Sequence, residues 1–155
     1  MSKRKKKAFE VGDLYAVPLK SGGFAYGLVC VGRDFAFFNQ RVNEPAMPVR
    51  AQDIQLAFRV PVAQDAPETG GWLHIGQEVP EGEFSEPGKY LHKPIGSTEC
   101  YIYSAGQEAP ADIETCRHLE VLSTWFSFHV EERLEDSLAG RENKYVAAIK
   151  RQLGI

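Results

Sequence analysis

The chain has 155 residues, 43% hydrophobic and 25% charged, with a net charge of −3. That balance is ordinary for a globular protein and is long enough for a sizeable core in one domain, which excludes a disordered or fibrous chain. No apolar run approaches the roughly eighteen residues of a membrane span, and the N-terminus MSKRKKKAFEVGD lacks the apolar stretch of a secretory signal.

The net charge conceals an asymmetry. Lys3, Arg4, Lys5, Lys6 and Lys7 form a basic leader, and without them the body carries 13 basic against 21 acidic residues, a balance of −8. Residues 1–8 read as a disordered basic tail and residues 9–155 as a single domain. An acidic body argues against a broad phosphate-binding surface, which needs clustered Lys and Arg. Cys30, Cys100 and Cys116 are too few and too scattered for a disulfide framework. They read as reduced thiols of a cytoplasmic protein, with Cys30 filling the core.

Gly12–Val31 opens the ordered chain as a hairpin. Leu14, Ala16 and Pro18 alternate with Tyr15, Val17 and Leu19, and Phe24, Tyr26 and Leu28 with Ala25, Gly27 and Val29. Gly22-Gly23 supplies the positive φ that a tight turn demands. Both faces are apolar, which places the hairpin inside a sheet, and Pro18, lacking an N–H, belongs at a strand end or edge. Phe35–Asn39 makes a third strand and completes a meander over Phe9–Gln40. Gln40–Asp53 is a connection, Ile54–Val60 a fourth strand, Pro61–Gly71 a break and Trp72–Ile75 a short fifth strand.

Glu78–Gly88 is a loop with Glu78, Glu81, Glu83 and Glu86 and no basic residue. Tyr90–Lys93 and Glu99–Tyr103 read as strands, and Ala105–Asp112 as a loop. Ile113–Leu122 is ambiguous: Ile113, Cys116 and Leu119 have helical spacing, whereas Leu119 and Val121 alternate. The reading favours a strand over Arg117–Leu122. From Thr124 the period changes to four, with Val130, Leu134 and Leu138 backed by Glu131, Glu132, Glu135 and Asp136. Gly140 ends that helix and Asn143 caps another, faced by Val146, Ile149 and Leu153 and closed by Lys150 and Arg151. The fold expected is α+β: a mainly antiparallel, strongly curved β-sheet, a partial barrel, with two C-terminal α-helices.

The sequence holds no CxxC, HExxH, EF-hand loop, phosphate-binding glycine loop or Gly-x-Ser-x-Gly elbow. His74, His92, His118 and His129 are dispersed. Neither a catalytic residue nor a cofactor or metal site is expected. Trp72 reads as core, and the three aromatics of Thr124–Phe128 read either as core that locks a helix onto a sheet, the favoured reading, or as a ligand pocket or partner anchor. The acidic loop Glu78–Glu86 and the helix acids Glu131–Asp136 read either as solvated surface or as an anionic patch for a cationic partner.

GDLYAVPL, a glycine turn and GFAYGLVCV resemble the opening signature of the bacterial immunity protein 26 family. The shared pattern falls on Gly12-Asp13, Pro18-Leu19, Gly22-Gly23 and Tyr26-Gly27-Leu28. Trp72–Gly76 is similar to a later Trp-led strand, and Val130–Tyr145, with Leu134 and Gly140-Arg141, to the C-terminal segment. The motifs are short and structural. The resemblance implies a cytoplasmic immunity-protein-like domain that binds and neutralises a cognate toxin of a polymorphic toxin system, with no catalytic residue to carry over. The toxin, if a nuclease, would have a cationic groove. Two other readings compete: a nucleic-acid-binding β-barrel with a basic N-terminal arm, and an enzyme with a His/Glu site.

Overall fold

The computed structural model describes residues 8–46 and 49–155. The basic tail expected over residues 1–8 therefore lies outside the described residues except for Ala8.

The opening hairpin forms as the alternation requires. β1 (Asp13–Pro18) and β2 (Phe24–Val29) pair antiparallel, from Leu14 opposite Leu28 to Pro18 opposite Phe24. Gly22 and Gly23 take φ of 107° and 74° in the turn. A Cβ on Gly23 would lie 2.6 Å from the Val42 carbonyl oxygen, so this position needs glycine for space as well as for φ. Pro18 ends its strand, where no ladder bond is lost. β3 (Phe35–Phe38) completes the meander, and β4 (Leu56–Val60) adds to β3. β5 (Leu73–Gln77) returns along the chain to pair with the other side of β1. The resulting order is β4-β3-β2-β1-β5, with the hairpin in the interior of a five-stranded sheet.

A second, four-stranded sheet has the order β8-β7-β6-β9. It comprises β6 (Tyr90–His92), β7 (Cys100–Ser104), β8 (Gln107–Ala111) and β9 (Glu120–Val121), antiparallel except for β6 with β9. The single strongly curved sheet of a partial barrel is thus corrected to two open sheets, because β4 and β5 remain separate edges of the first. The expected loop over Ala105–Asp112 is also corrected. Ala105 and Gly106, at φ of 52° and 80°, make a two-residue turn that folds Gln107–Ala111 back on β7 as an exposed edge strand. Ile113–Leu122 divides between both readings, into the short helix α2 (Ile113–Cys116) and the two residues of β9. A further four-residue helix, α1 (Ala66–Thr69), lies within the Pro61–Gly71 break.

Two longer helices close the chain. α3 (Ser127–Ala139) ends at Gly140, which is left-handed at φ 69°, with the Arg141 amide bonded back to the Asp136 carbonyl at 2.8 Å. The Asn143 side chain accepts from the Val146 amide at 2.9 Å and caps α4 (Lys144–Leu153). Lys150 and Arg151 occupy its last turn, and Lys93, just after β6, donates to the Leu153 carbonyl at 2.7 Å.

The first sheet is covered on both faces. On one, Phe35, Phe37, Phe58 and Val60 pack with Trp72, Trp125 and the α3 residues Val130 and Leu134. On the other, Leu28, Ala36 and Phe38 pack with Phe84 from the acidic loop. The second sheet has its own cluster around Leu91, Cys100 and Cys116. The segment after β9 links the sheets: the Leu122 amide bonds to Leu91, and Trp125 exchanges backbone bonds with Pro61 and Ala63 beyond β4.

A buried polar network joins the same parts through side chains. Asp34 is 5% exposed and receives Arg59 Nε at 2.7 Å and Nη2 at 3.0 Å. The Tyr90 hydroxyl of the second sheet also donates to Asp34. The rest of the guanidinium donates to the carbonyls of Val31, Glu83 and Glu86 at 3.1, 2.8 and 2.7 Å. Burial opposes the Arg59 charge most strongly, but the bond to Asp34 and the surrounding charges together outweigh it and hold its pKa above the usual value. Burial pushes the Tyr90 hydroxyl up, and pushes the nearby Cys30 thiol up to about 12.

Asp13, at the head of β1, is tied in a similar way. It accepts from the Glu10 amide at 2.8 Å and from Gln77 at 3.2 Å, and lies 3.1 Å from His74 Nε2. Burial raises its pKa, but these bonds together outweigh burial and leave it below the usual carboxylate value. A lowered folded pKa contributes stability above the unfolded pKa, and this is lost as pH falls through the folded one. Asp13→Asn is therefore expected to lower the urea midpoint at about pH 7, and by less at about pH 3. A deficit that stayed constant between the two would show that the carboxylate charge is not what matters.

Candidate partner-binding surface

The acidic residues singled out in the sequence do not form one surface. Phe84 anchors the acidic loop on one face of the first sheet, and Val130 and Leu134 hold α3 on the other. Their local roles differ as well. Glu78 accepts from the Ala51 and Gln52 amides at 2.9 and 3.1 Å, and so binds the open N-terminus of a 3-10 turn over Ala51–Asp53. Glu81 pairs with Arg50 at 2.6 Å. Glu135 receives the Ser21 amide and hydroxyl at 3.1 and 2.6 Å, pinning the hairpin turn to α3. Asp136 accepts from Asn143 at 3.0 Å and Arg141 at 3.3 Å, bracing the turn between α3 and α4.

Glu131 is half-buried and receives the Trp72 indole N–H at 3.5 Å. Burial raises its pKa, offset in part by that bond. α3 starts at Ser127, so Glu131 and Glu132 fall in its second turn and no acidic residue occupies the first. Glu83, Glu86 and Glu132 are exposed and make no side-chain ion pair among the described residues. These are the carboxylates that remain available to a partner.

The aromatic segment before α3 divides too. Trp72 and Trp125 are core, as expected, at 6% and 1% exposure. Phe126 and Phe128 are not: they are 50% and 62% exposed. Trp125 is drawn inward by its backbone bonds beside β4, and Ser127, on the helix face towards Gly70, takes the buried place between the two phenylalanines. Phe126 and Phe128 stack at 6.4 Å with their planes 6° apart. Phe128 meets His129 at 4.0 Å, and His129 stacks on Tyr145 of α4 at 4.2 Å. The result is a continuous aromatic shelf at the junction of α3 and α4. Glu132 follows Phe128 by four residues, on the same side of the helix. The aromatic run of Thr124–Phe128 is the signal that admits such a shelf as the alternative to core, but nothing local to the sequence distinguishes an exposed from a buried Phe here.

On the other side of Trp72 lies an open cleft of about 410 Å³. Phe9, Tyr15 and Trp72 contribute aromatic surface to it, and Asp65, Glu68 and His74 contribute polar groups. Among the described residues no three His, Cys, Asp or Glu side chains converge as metal ligands do. His92 pairs with Glu108 at 2.6 Å on the second sheet, away from the other histidines. No described helix is long and apolar enough to cross a membrane.

Comparison of the chain with family models, curated proteins and solved structures finds no match. The likeness to the immunity family therefore rests on the short motifs quoted above.

Proposed function

We propose that this protein works by stoichiometric binding of a cationic protein partner, and that the partner is a toxin which it occludes. The observation that carries the binding reading is the exposed aromatic shelf of Phe126, Phe128 and Tyr145 beside the exposed carboxylate of Glu132. Exposed aromatics grouped in contact are the usual anchors of an interface, and a carboxylate at the rim selects a partner by charge. The toxin reading adds the resemblance of the hairpin, the Trp72 strand and the C-terminal helices to the immunity family. The competing nucleic-acid reading needs a basic surface, and the body outside the leader has a balance of −8. It also needs a barrel, whereas both sheets here are open.

The test takes as partner a cationic toxin sought among the products of the genes beside this one, with association and dissociation followed at several ionic strengths. Phe128→Ala is expected to weaken the complex by about 2 kcal/mol or more, mainly through faster dissociation. Glu132→Lys is expected to slow association at low salt, with the loss shrinking as salt is raised. Glu83→Lys with Glu86→Lys, on the opposite face of the sheet, serves as the comparison. A larger loss there would move the interface to the acidic loop. Turnover of a substrate without any partner would overturn the reading altogether.

A further inference from the structure

The second sheet brings together two cysteines that the sequence keeps apart. β7 begins at Cys100, and the strand register sets Cys100 opposite Ala111 at the end of β8. Asp112 follows at once and precedes the single turn of α2, whose last residue is Cys116. That turn carries Cys116 back over its own start, so its Sγ donates to the Asp112 carbonyl at 3.2 Å. Both residues are free thiols at one corner of the sheet, in a shared buried cluster with Leu91. They also act on each other directly: burial first, and then the neighbouring Cys100 thiol, raises the Cys116 pKa.

Their surroundings give them separate parts. Cys116 is fully buried, whereas Cys100 is 4% exposed and lines an open cleft of about 580 Å³ bounded by the start of β7, the end of β8 and α2. The other three residues of α2 are exposed or half-buried, so this corner opens more readily than the core of the first sheet. Cys30 lies in a different cluster, on the first sheet, where burial pushes its thiol up to about 12.

From this arrangement we propose that Cys100 and Cys116 form an oxidation site, at which a small disulfide converts the pair into an intramolecular disulfide that clamps α2 to β7. The inference is independent of the binding reading. The Cys100 thiolate attacks one sulfur of the external disulfide and expels the other half as a thiolate. The Cys116 thiol then loses its proton to solvent, attacks the Cys100 sulfur of the mixed disulfide and expels the second half. Two protein thiols are thereby oxidised, and one external disulfide is reduced to two thiols. The new bond closes a loop that contains all of β8, the exposed edge strand, and so restrains it.

The test uses the full, reduced chain at about pH 8, where thiolate is available, with cystamine as the external disulfide. A cationic reagent suits a cleft lined by Glu99, Asp112 and Glu114. Cleavage after glutamate, at Glu108 or Glu114, separates the two cysteines for peptide mapping. The expected product joins Cys100 to Cys116 and leaves Cys30 to be alkylated after denaturation. Cys116→Ser is expected to halt at a mixed disulfide on Cys100. Amide hydrogen exchange in β8 and α2 is expected to slow by roughly tenfold or more in the oxidised chain and to recover on reduction. Disulfide-linked dimers, a bond that includes Cys30, or three unreacted thiols after a time that oxidises the chain in urea would each overturn the site. Unchanged exchange in β8 and α2, with the bond formed, would overturn the clamp.

Discussion

Arg59→Ala is expected to destabilise the protein by about 3–5 kcal/mol, the cost of removing one member of a buried ion pair. The pair is well shielded, with the side chains of Arg59 and Asp34 13% and 7% exposed. Removing the guanidinium leaves the Asp34 carboxylate buried with, among the described residues, the Tyr90 hydroxyl as its side-chain donor, and strips a donor from the carbonyls of Val31, Glu83 and Glu86. The loss reaches beyond local stability, because Arg59 belongs to β4, Asp34 precedes β3, Tyr90 belongs to the second sheet, and Glu83 and Glu86 belong to the acidic loop. The loop should therefore exchange its amide hydrogens faster in the variant than the rest of the chain does. Asp34→Ala should cost a comparable amount, and the double variant less than the sum, since the two residues act as a unit. Urea midpoints for the three variants, with slopes compared, measure this. A cost below about 1 kcal/mol would put the pair in the class of solvent-exposed bridges.

Trp72→Ala is expected to cost about 3–5 kcal/mol, as large truncations in a well-packed core do. Its indole meets Phe35 at 5.7 Å and Phe37 at 5.6 Å, edge to face in both cases. The site is too tight to collapse freely, since even a Cβ on Gly70 would fall 2.5 Å from the indole nitrogen. The truncation also removes the donor to Glu131 and part of the cleft wall. Trp72→Phe keeps much of the ring contact and should cost less, while still deleting the indole N–H. An unchanged denaturation midpoint for Trp72→Ala would contradict the packing described. A fall in stability of the expected size, with Phe128→Ala neutral in the same assay, would separate the core role of one aromatic from the surface role of the other.

Several elements were legible in the sequence because their signals are local. The hairpin needs only alternation on both sides of Gly22-Gly23, where the turn conformation itself excludes most side chains. α3 and α4 need only the four-residue spacing of Val130 and Leu134, a left-handed Gly140 and the Asn143 cap. The core role of Trp72 and Trp125 followed from size and apolarity.

What the tertiary structure alone decided has a common physical cause: each case depends on a partner distant in sequence. β5 joins the sheet by pairing with β1, and no local pattern says which edge a fifth strand will choose. β8 carries no apolar alternation and contains Pro110, so its strand conformation comes from backbone pairing with β7. β9 is two residues long and exists only beside β6. The carboxylates show the same dependence. Composition supplied an acidic loop and an acidic helix face, but the amides of Ala51 and Gln52 claim Glu78, Arg50 claims Glu81, and Ser21 claims Glu135. Which charges remain for a partner is decided only after those bonds form, because a carboxylate brought close to an open helix end or a cation is held there. Phe126 and Phe128 are exposed for the converse reason: the backbone bonds of Trp125 beside β4 set the entry of α3, and that entry turns its neighbours outward.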